Sequence, residues 1–254
     1  MIKLIIKVII KVIGLFVISL LNISFSECQE LSIGYGLIYT ATYQSVRMVE
    51  SKSDFMNSDA IYYYTYEHYL KNSKFSLSGT FIKFKGETNI KFREGSVLHG
   101  DNSLIGVGFS GVNVSRFDIG INYNVMPKRF MYYFKPFVTV GIQTSKKTGV
   151  EIYGEIFQIN GPEYYELEPV TSISYNKTHL IPSLGFKTGI LLFHRIDLFL
   201  YIQGAYGFKS YQNLYFKYAF KGVNQKTAVF ESRGTGIFCN LGIGYRFAKL
   251  IRND

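Results

Sequence analysis

Large apolar side chains recur at every second position over long stretches of this chain. In residues 31–44 the odd positions are Leu31, Ile33, Tyr35, Leu37, Tyr39, Ala41 and Tyr43. The even positions are Ser32, Gly34, Gly36, Ile38, Thr40, Thr42 and Gln44. The alternation returns at Phe117, Ile119, Ile121, Tyr123 and Val125, opposed by Arg116, Asp118, Gly120, Asn122 and Asn124. It returns again at Leu180, Leu184, Phe186, Ile190 and Leu192, and at Leu198, Leu200, Ile202, Tyr206 and Phe208. A period of two is the signature of a β-strand with two unlike faces. The pattern predicts eight strands: 31–47, 60–71, 74–85, 104–125, 131–144, 178–193, 197–219 and 232–247. In 60–71 tyrosines fall on both faces, so a short helix is an open alternative there.

The connections alternate in length. Residues 72–73, 126–130 and 194–196 are short, whereas 48–59, 86–103, 145–177 and 220–231 are long. An even strand number with both termini on the short-turn side produces this alternation, as in an up-and-down membrane barrel. The expected fold is therefore all-β: a single closed antiparallel transmembrane β-barrel of eight strands. Several segments exceed the roughly 9–11 residues a tilted strand needs to cross hydrocarbon. They are expected to continue past it on the long-loop side.

Which face carries the bulk decides between a soluble and a membrane barrel. A soluble barrel turns its large apolar residues inward. Here the other face is small or polar, which suits the narrow interior of eight strands, and the bulky face suits lipid. Arg116, Asp118, Lys187, Lys209 and Arg246 all fall on the polar face and are expected in the lumen. On the lipid face at mid-depth an Arg or Lys costs about 2–4 kcal/mol. A filled, charged interior argues against a wide solute channel.

Composition sharpens this. Tyr (21), Phe (22) and Gly (24) are abundant, Pro is scarce (5) and Trp is absent. Tyrosine and phenylalanine must then form any interfacial aromatic girdle. Residues 1–26 read as an export signal: Lys3, Lys7 and Lys11, an apolar run from Val12 to Leu21, then Ser24 and Ser26 before the cleavage point. An anchor helix is the alternative, but the lysines interrupt it. Residues 27–254 then form one barrel domain. Loss of the signal lowers the formal charge from +10 to +7. The basic residues form no block, which argues against nucleic acid and for membrane lipid head groups. Cys28 and Cys239 are expected to be free thiols, too far apart for a bridge.

The segments "LSIGYGLIY", "IGINYNVMP", "PFVTVGIQTS" and "LGIGYRF", behind an export signal, resemble the outer-membrane β-barrel proteins of Bacteroidetes-type bacteria, often labelled porin-family. The resemblance is one of pattern and covers most of 31–247. It implies outer-membrane location, with outer-membrane lipids as partners, and it brings no common catalytic residues. Leu241, Ile243, Tyr245 and Phe247 also resemble the terminal signal read by the barrel-insertion machinery, although seven residues follow Phe247.

Candidate chemistry is sparse. His68, His99, His179 and His194 show no zinc-ligand spacing, and no metal or cofactor is expected. His179 and Ser183 share a strand face, but at roughly 13 Å they are too far apart for proton transfer. The loop 145–177 carries Glu151, Glu155, Glu163, Glu166 and Glu168 with Tyr164 and Tyr165. It is the candidate contact for an extracellular or periplasmic protein partner. The reading that emerges is a non-enzymatic surface, adhesive or assembly-associated barrel. A small or gated pore and a lipid-modifying enzyme are the alternatives.

Overall fold

A computed structural model describes residues 29–46, 55–70, 73–86, 89–91, 106–108, 112–125, 131–146, 149–153, 165–167, 170–175, 177–220 and 223–247. Its strands are β1 (Gln29–Val46), β2 (Phe55–Tyr69), β3 (Phe75–Gly86), β4 (Asn89–Lys91), β5 (Gly106–Gly108), β6 (Val112–Tyr123), β7 (Tyr132–Ser145) and β8 (Gly149–Tyr153). They continue with β9 (Tyr165–Leu167), β10 (Val170–Ser174), β11 (Thr178–Leu192), β12 (Ile196–Ala205), β13 (Gln212–Phe216), β14 (Tyr218–Phe220), β15 (Val223–Asn224) and β16 (Ala228–Arg246).

Eight of these close on themselves in the order β1-β2-β3-β6-β7-β11-β12-β16, with β16 returning to β1. Every neighbouring pair is antiparallel. The protein is a closed eight-stranded up-and-down barrel. Paired residues followed once round the wall run Glu30, Glu67, Ser78, Gly120, Thr139, Ser183, Ala205, Gly236 and Thr40. The path returns to β1 ten residues further on. This stagger ties the strand number to the tilt.

The second strand is a strand, not a helix. Its tyrosines serve both faces: Tyr62 and Tyr64 point outward and are exposed, while Tyr63 is buried. The strand expected over 197–219 breaks after Ala205. Residues 206–211 loop out, and β13 then rejoins the same partner: Ala205 faces Gly236 and Gln212 faces Ser232. Six residues thus lie opposite the three of Arg233–Thr235, and on the other side Thr40 to Thr42 matches Gly236 to Ser232. Gly234 allows this double bulge, because its φ of 82° is one that L side chains rarely adopt. The strand expected over 104–125 also divides, with β5 pairing β4 in a separate two-stranded sheet.

The long loop 145–177 is partly regular. β8 and β10 pair with each other, β10 pairs β13, and β9 pairs β14. Paired through β13 on Ala228–Ser232 of β16, β10 and β8 extend the barrel wall past its rim at the loop end, while β9 and β14 belong to a separate sheet. Leu214, Phe216, Ala228 and Phe230 are fully buried on the inner face of this extension.

The lumen is bulkier than alternation alone suggested. Tyr63, Tyr133, Phe137, Phe199 and Tyr201 all point inward and are buried. Each of four rings faces a glycine directly across the ladder: Tyr63 on Gly34, Tyr133 on Gly189, Phe137 on Gly185 and Phe199 on Gly242. A narrow barrel has no room for two large side chains at one rung, so ring and glycine share it.

Candidate functional site

Outside, the wall is apolar. Leu184 and Leu241 are each 69 % exposed, Val138 65 % and Ile121 56 %. On β1 the exposed run extends from Leu31 to Tyr39, close to the roughly 9–11 residues that span hydrocarbon. Exposed large apolar side chains recur on all eight barrel strands, whereas a water-facing surface rarely carries one contiguous apolar patch larger than a few hundred Å². At the turn end, aromatic side chains carry cations at their rims. Lys74 lies 5.8 Å from the Tyr123 ring, and Arg195 donates to the Tyr245 hydroxyl at 3.3 Å. Tyr245 and Phe247 pack edge to face with 5.4 Å between centroids. Leu241, Ile243, Tyr245 and Phe247 all face outward and are exposed.

Inside, four layers stack from the turn end upward. The lowest is a charge network built from six strands. Glu30 accepts from Arg246 Nε (2.8 Å), the Tyr69 hydroxyl (2.7 Å) and Lys187 Nζ. Lys187 also pairs with Asp197 at 2.9 Å and lies 3.8 Å from Glu67. Lys135 donates to both oxygens of Glu67, at 2.9 and 3.1 Å. Asp197 accepts from Tyr133 at 2.7 Å. Three carboxyl groups therefore face three cations, and all six side chains are buried. Tyr69, Tyr133 and Phe199 lie within 4.3–5.0 Å of the cationic heads, which adds cation–π attraction in a dry setting.

An aromatic layer follows. Phe137 stacks on Tyr201 (4.8 Å, 13° between planes), and Tyr63 tilts against Tyr201 at 4.4 Å. A cavity of about 10 Å³ lies between the charge network and these rings, room for about one water. The third layer centres on Arg116. Its Nη2 donates to Asp118 (2.8 Å) and Gln203 (2.7 Å), and Gln203 donates on to Asp118 (2.9 Å) and Thr139 (3.1 Å). The guanidinium rests 4.4 Å from the Phe238 ring.

The fourth layer is aliphatic and aromatic: Ile38, Ile61, Ile82, Phe84, Val112, Val114, Ile181 and Phe238. Tyr211 closes it. This residue ends the looped-out segment, turns inward and lays its hydroxyl end against Gly86 of β3 on the far wall. The lumen of the described residues is therefore filled from one end to the other.

Four of the five charges expected in the lumen lie there: Arg116, Asp118, Lys187 and Arg246. Lys209 does not. It sits in the looped-out segment beyond Ala205 and is exposed, because the strand that would have aimed it inward has already ended. Sequence reasoning missed Glu30, Glu67, Lys135 and Asp197. Strand parity carried a signal for each, since all four occupy inward positions. Of the expected contact loop, Glu151 lies in β8, and Tyr165 and Glu166 lie in β9. Glu155, Glu163, Tyr164 and Glu168 fall outside the described residues, as do Cys28 and the export segment 1–26. His179 and Ser183 both point into the barrel and are buried, with His179 Nε2 3.4 Å from Gln143 Nε2.

No family model matches the chain, and no curated protein matches it. Several solved structures are similar to it. The outer membrane protein OprG from Pseudomonas aeruginosa is 10% identical with a TM-score of 0.48, covering 88% of this chain and 97% of that one. The N-terminal β-barrel domain of OprF from Pseudomonas aeruginosa is 9% identical with a TM-score of 0.41, covering 86% and 97%. The attachment invasion locus protein Ail of Yersinia pestis is 12% identical with a TM-score of 0.37, covering 88% and 100%.

Proposed function

We propose that this chain is an integral outer-membrane barrel that conducts no solute and has no enzymatic activity. It works at the cell surface in a structural, adhesive or assembly-associated role. The observation that carries the reading is the sealed lumen: four packed layers, a single-water cavity and Tyr211 laid across to Gly86. With the interior occupied, the surfaces left for function among the described residues are the lipid-facing belt and the loop-end extension of β8, β10, β13 and β16. That extension is laddered to the barrel, so it presents contacts on a fixed scaffold, where barrel and loop functions commonly reside.

The outer-membrane part of the reading rests on the apolar belt and on the export signal expected over 1–26. The resemblance to porin-family proteins of Bacteroidetes-like bacteria adds a lineage. The non-enzymatic part is supported by the burial of His179 and Ser183 inside the wall, away from any lipid head group.

Carbonate-washed membranes test the location: the folded chain stays in the pellet and changes gel mobility on boiling. Single-channel recording in planar bilayers tests the sealed lumen. No steady open level is expected, and a stable conductance sinks the reading in favour of a pore.

A further inference from the structure

The apolar outer wall is not uniform. A groove of about 660 Å³ runs round the barrel exterior from Ile196 of β12 and Tyr245 of β16 at the turn end, over β1, β2 and β3, to Phe117 of β6. Outward positions on β3 run Leu77, Gly79, Phe81, Lys83 and Lys85. Gly79 is the one without a side chain, and it forms the groove floor. Tyr64 and Tyr66 of β2, Phe81 of β3 and Phe117 of β6 form the walls. The next two outward residues toward the loop end, Lys83 and Lys85, are both exposed. From Gly79 to Lys83 is four residues along a strand, about 13 Å. One leaflet of hydrocarbon is about 15 Å deep. The Gly79 end of the groove thus lies within one leaflet's depth of a pair of cations set toward the loop end.

We propose that this wall is a lipid site. The groove holds acyl chain from a phosphate-bearing lipid of the loop-end leaflet, and the phosphate lies between Lys83 and Lys85. The proposal rests on the membrane reading above and adds the ligand class and the residues. Any lipid tail covers an apolar wall. The selective elements are the missing side chain at Gly79, which lets one chain lie closer to the barrel, and the two cations placed to meet an anionic head. An anionic surface attracts each nearby lysine, and the two contributions add to an affinity gain of about tenfold or more.

The test uses the full chain, refolded and reconstituted into phosphatidylcholine vesicles containing a minor fraction of phosphatidylglycerol. After mild detergent extraction, co-purifying lipids are quantified by mass spectrometry. The unaltered chain is expected to retain phosphatidylglycerol above its vesicle fraction. Lys83→Gln with Lys85→Gln should cut that enrichment by about tenfold. Gly79→Leu should lower the retention of both lipids by filling the floor. A Cβ at Gly79 meets the Phe117 ring at 3.6 Å, ordinary contact, so the backbone accepts a side chain there.

Lys209→Gln removes an exposed cation elsewhere on the loop-end side and should leave retention unchanged. Equal retention of the two lipids by the unaltered chain overturns the site. So does an equal loss from Lys209→Gln, which would reduce it to diffuse charge, and so does a lipid-free dimer seated on the groove. Loss of the chain from the carbonate pellet would sink the membrane reading itself. A pelleted, heat-modifiable chain without phosphatidylglycerol enrichment sinks only the lipid site.

Discussion

The ring of Phe137 lies directly across the β7–β11 ladder from Gly185, and an added Cβ at Gly185 would stand 2.6 Å from the Phe137 Cζ. The same Cβ would press on the Ile202 carbonyl of β12. Gly185→Ala is therefore expected to destabilise the barrel by about 1–3 kcal/mol through overpacking. Urea unfolding in lipid vesicles, read by gel mobility, measures this. Phe137→Leu in the same chain relieves only the ring's share, so recovery should be partial. An unchanged midpoint for Gly185→Ala would show that the wall flexes where the packing says it cannot.

Lys135 and Glu67 form the most self-contained pair in the charge network, with two hydrogen bonds between them. Removing one partner leaves the other buried, with its counter-charge gone. Lys135→Met or Glu67→Gln alone is expected to cost about 3–5 kcal/mol. The double variant should cost much less than the two together, because no uncompensated charge remains. A double-mutant cycle on unfolding free energy reads the coupling directly. Additive losses would mean that Lys187 and Ser76, the other neighbours of Glu67, already balance it.

The β11–β12 hairpin turns through Phe193 (φ 50°) and His194 (φ 58°), closed by a hydrogen bond of 3.0 Å from Arg195 N to Leu192 O. Two consecutive positive φ values are the mark of a type I′ turn, which favours Asn-Gly. Phe193→Asn with His194→Gly should stabilise the barrel by about 1–3 kcal/mol, since each L residue held there carries a penalty of about 1–2 kcal/mol. Thermal gel-shift midpoints would register this as a rise. A fall would mean that Phe193, 85 % exposed, contributes more as an interfacial anchor than its backbone costs.

Cys239 is a free thiol on the outward face of β16, between Ile237 and Leu241. In a Cys28→Ser background in vesicles it should react with a small apolar maleimide and resist a charged one. In denaturant both reagents should react alike. Fast labelling by the charged reagent in intact vesicles would place the belt in water and defeat the membrane assignment.

Much of the wall was legible because alternation is a local property. β1, β3, β7 and β11 could be bounded from their own residues, with closure following from strand parity and the lengths of connections. What was not legible depended on partners far away in sequence. The break after Ala205 is dictated by the bulge at Arg233–Thr235 in β16, which no local pattern in 197–219 announces. Lys209 was misplaced for that reason. Glu30 was cut off by a strand start set two residues late, and Glu67 was hidden by tyrosines on both faces of β2. The inward rings were overlooked because a ring inside needs a glycine opposite, and that pairing exists only once the register is known.

The charge network draws its six members from β1, β2, β7, β11, β12 and β16, so it spans the seam where the first strand meets the last. Glu30 stands on one side of that seam and Arg246 on the other, joined at 2.8 Å. No partly assembled sheet can hold this arrangement. Until β16 docks on β1, Glu30 lacks Arg246 and the cations gathered around it lack one another's counter-charge. An open intermediate therefore keeps its turn end wet, and the network dries only when the last strand arrives. Closure and neutralisation are one event, which gives the folding chain a chemical check that its ends have met.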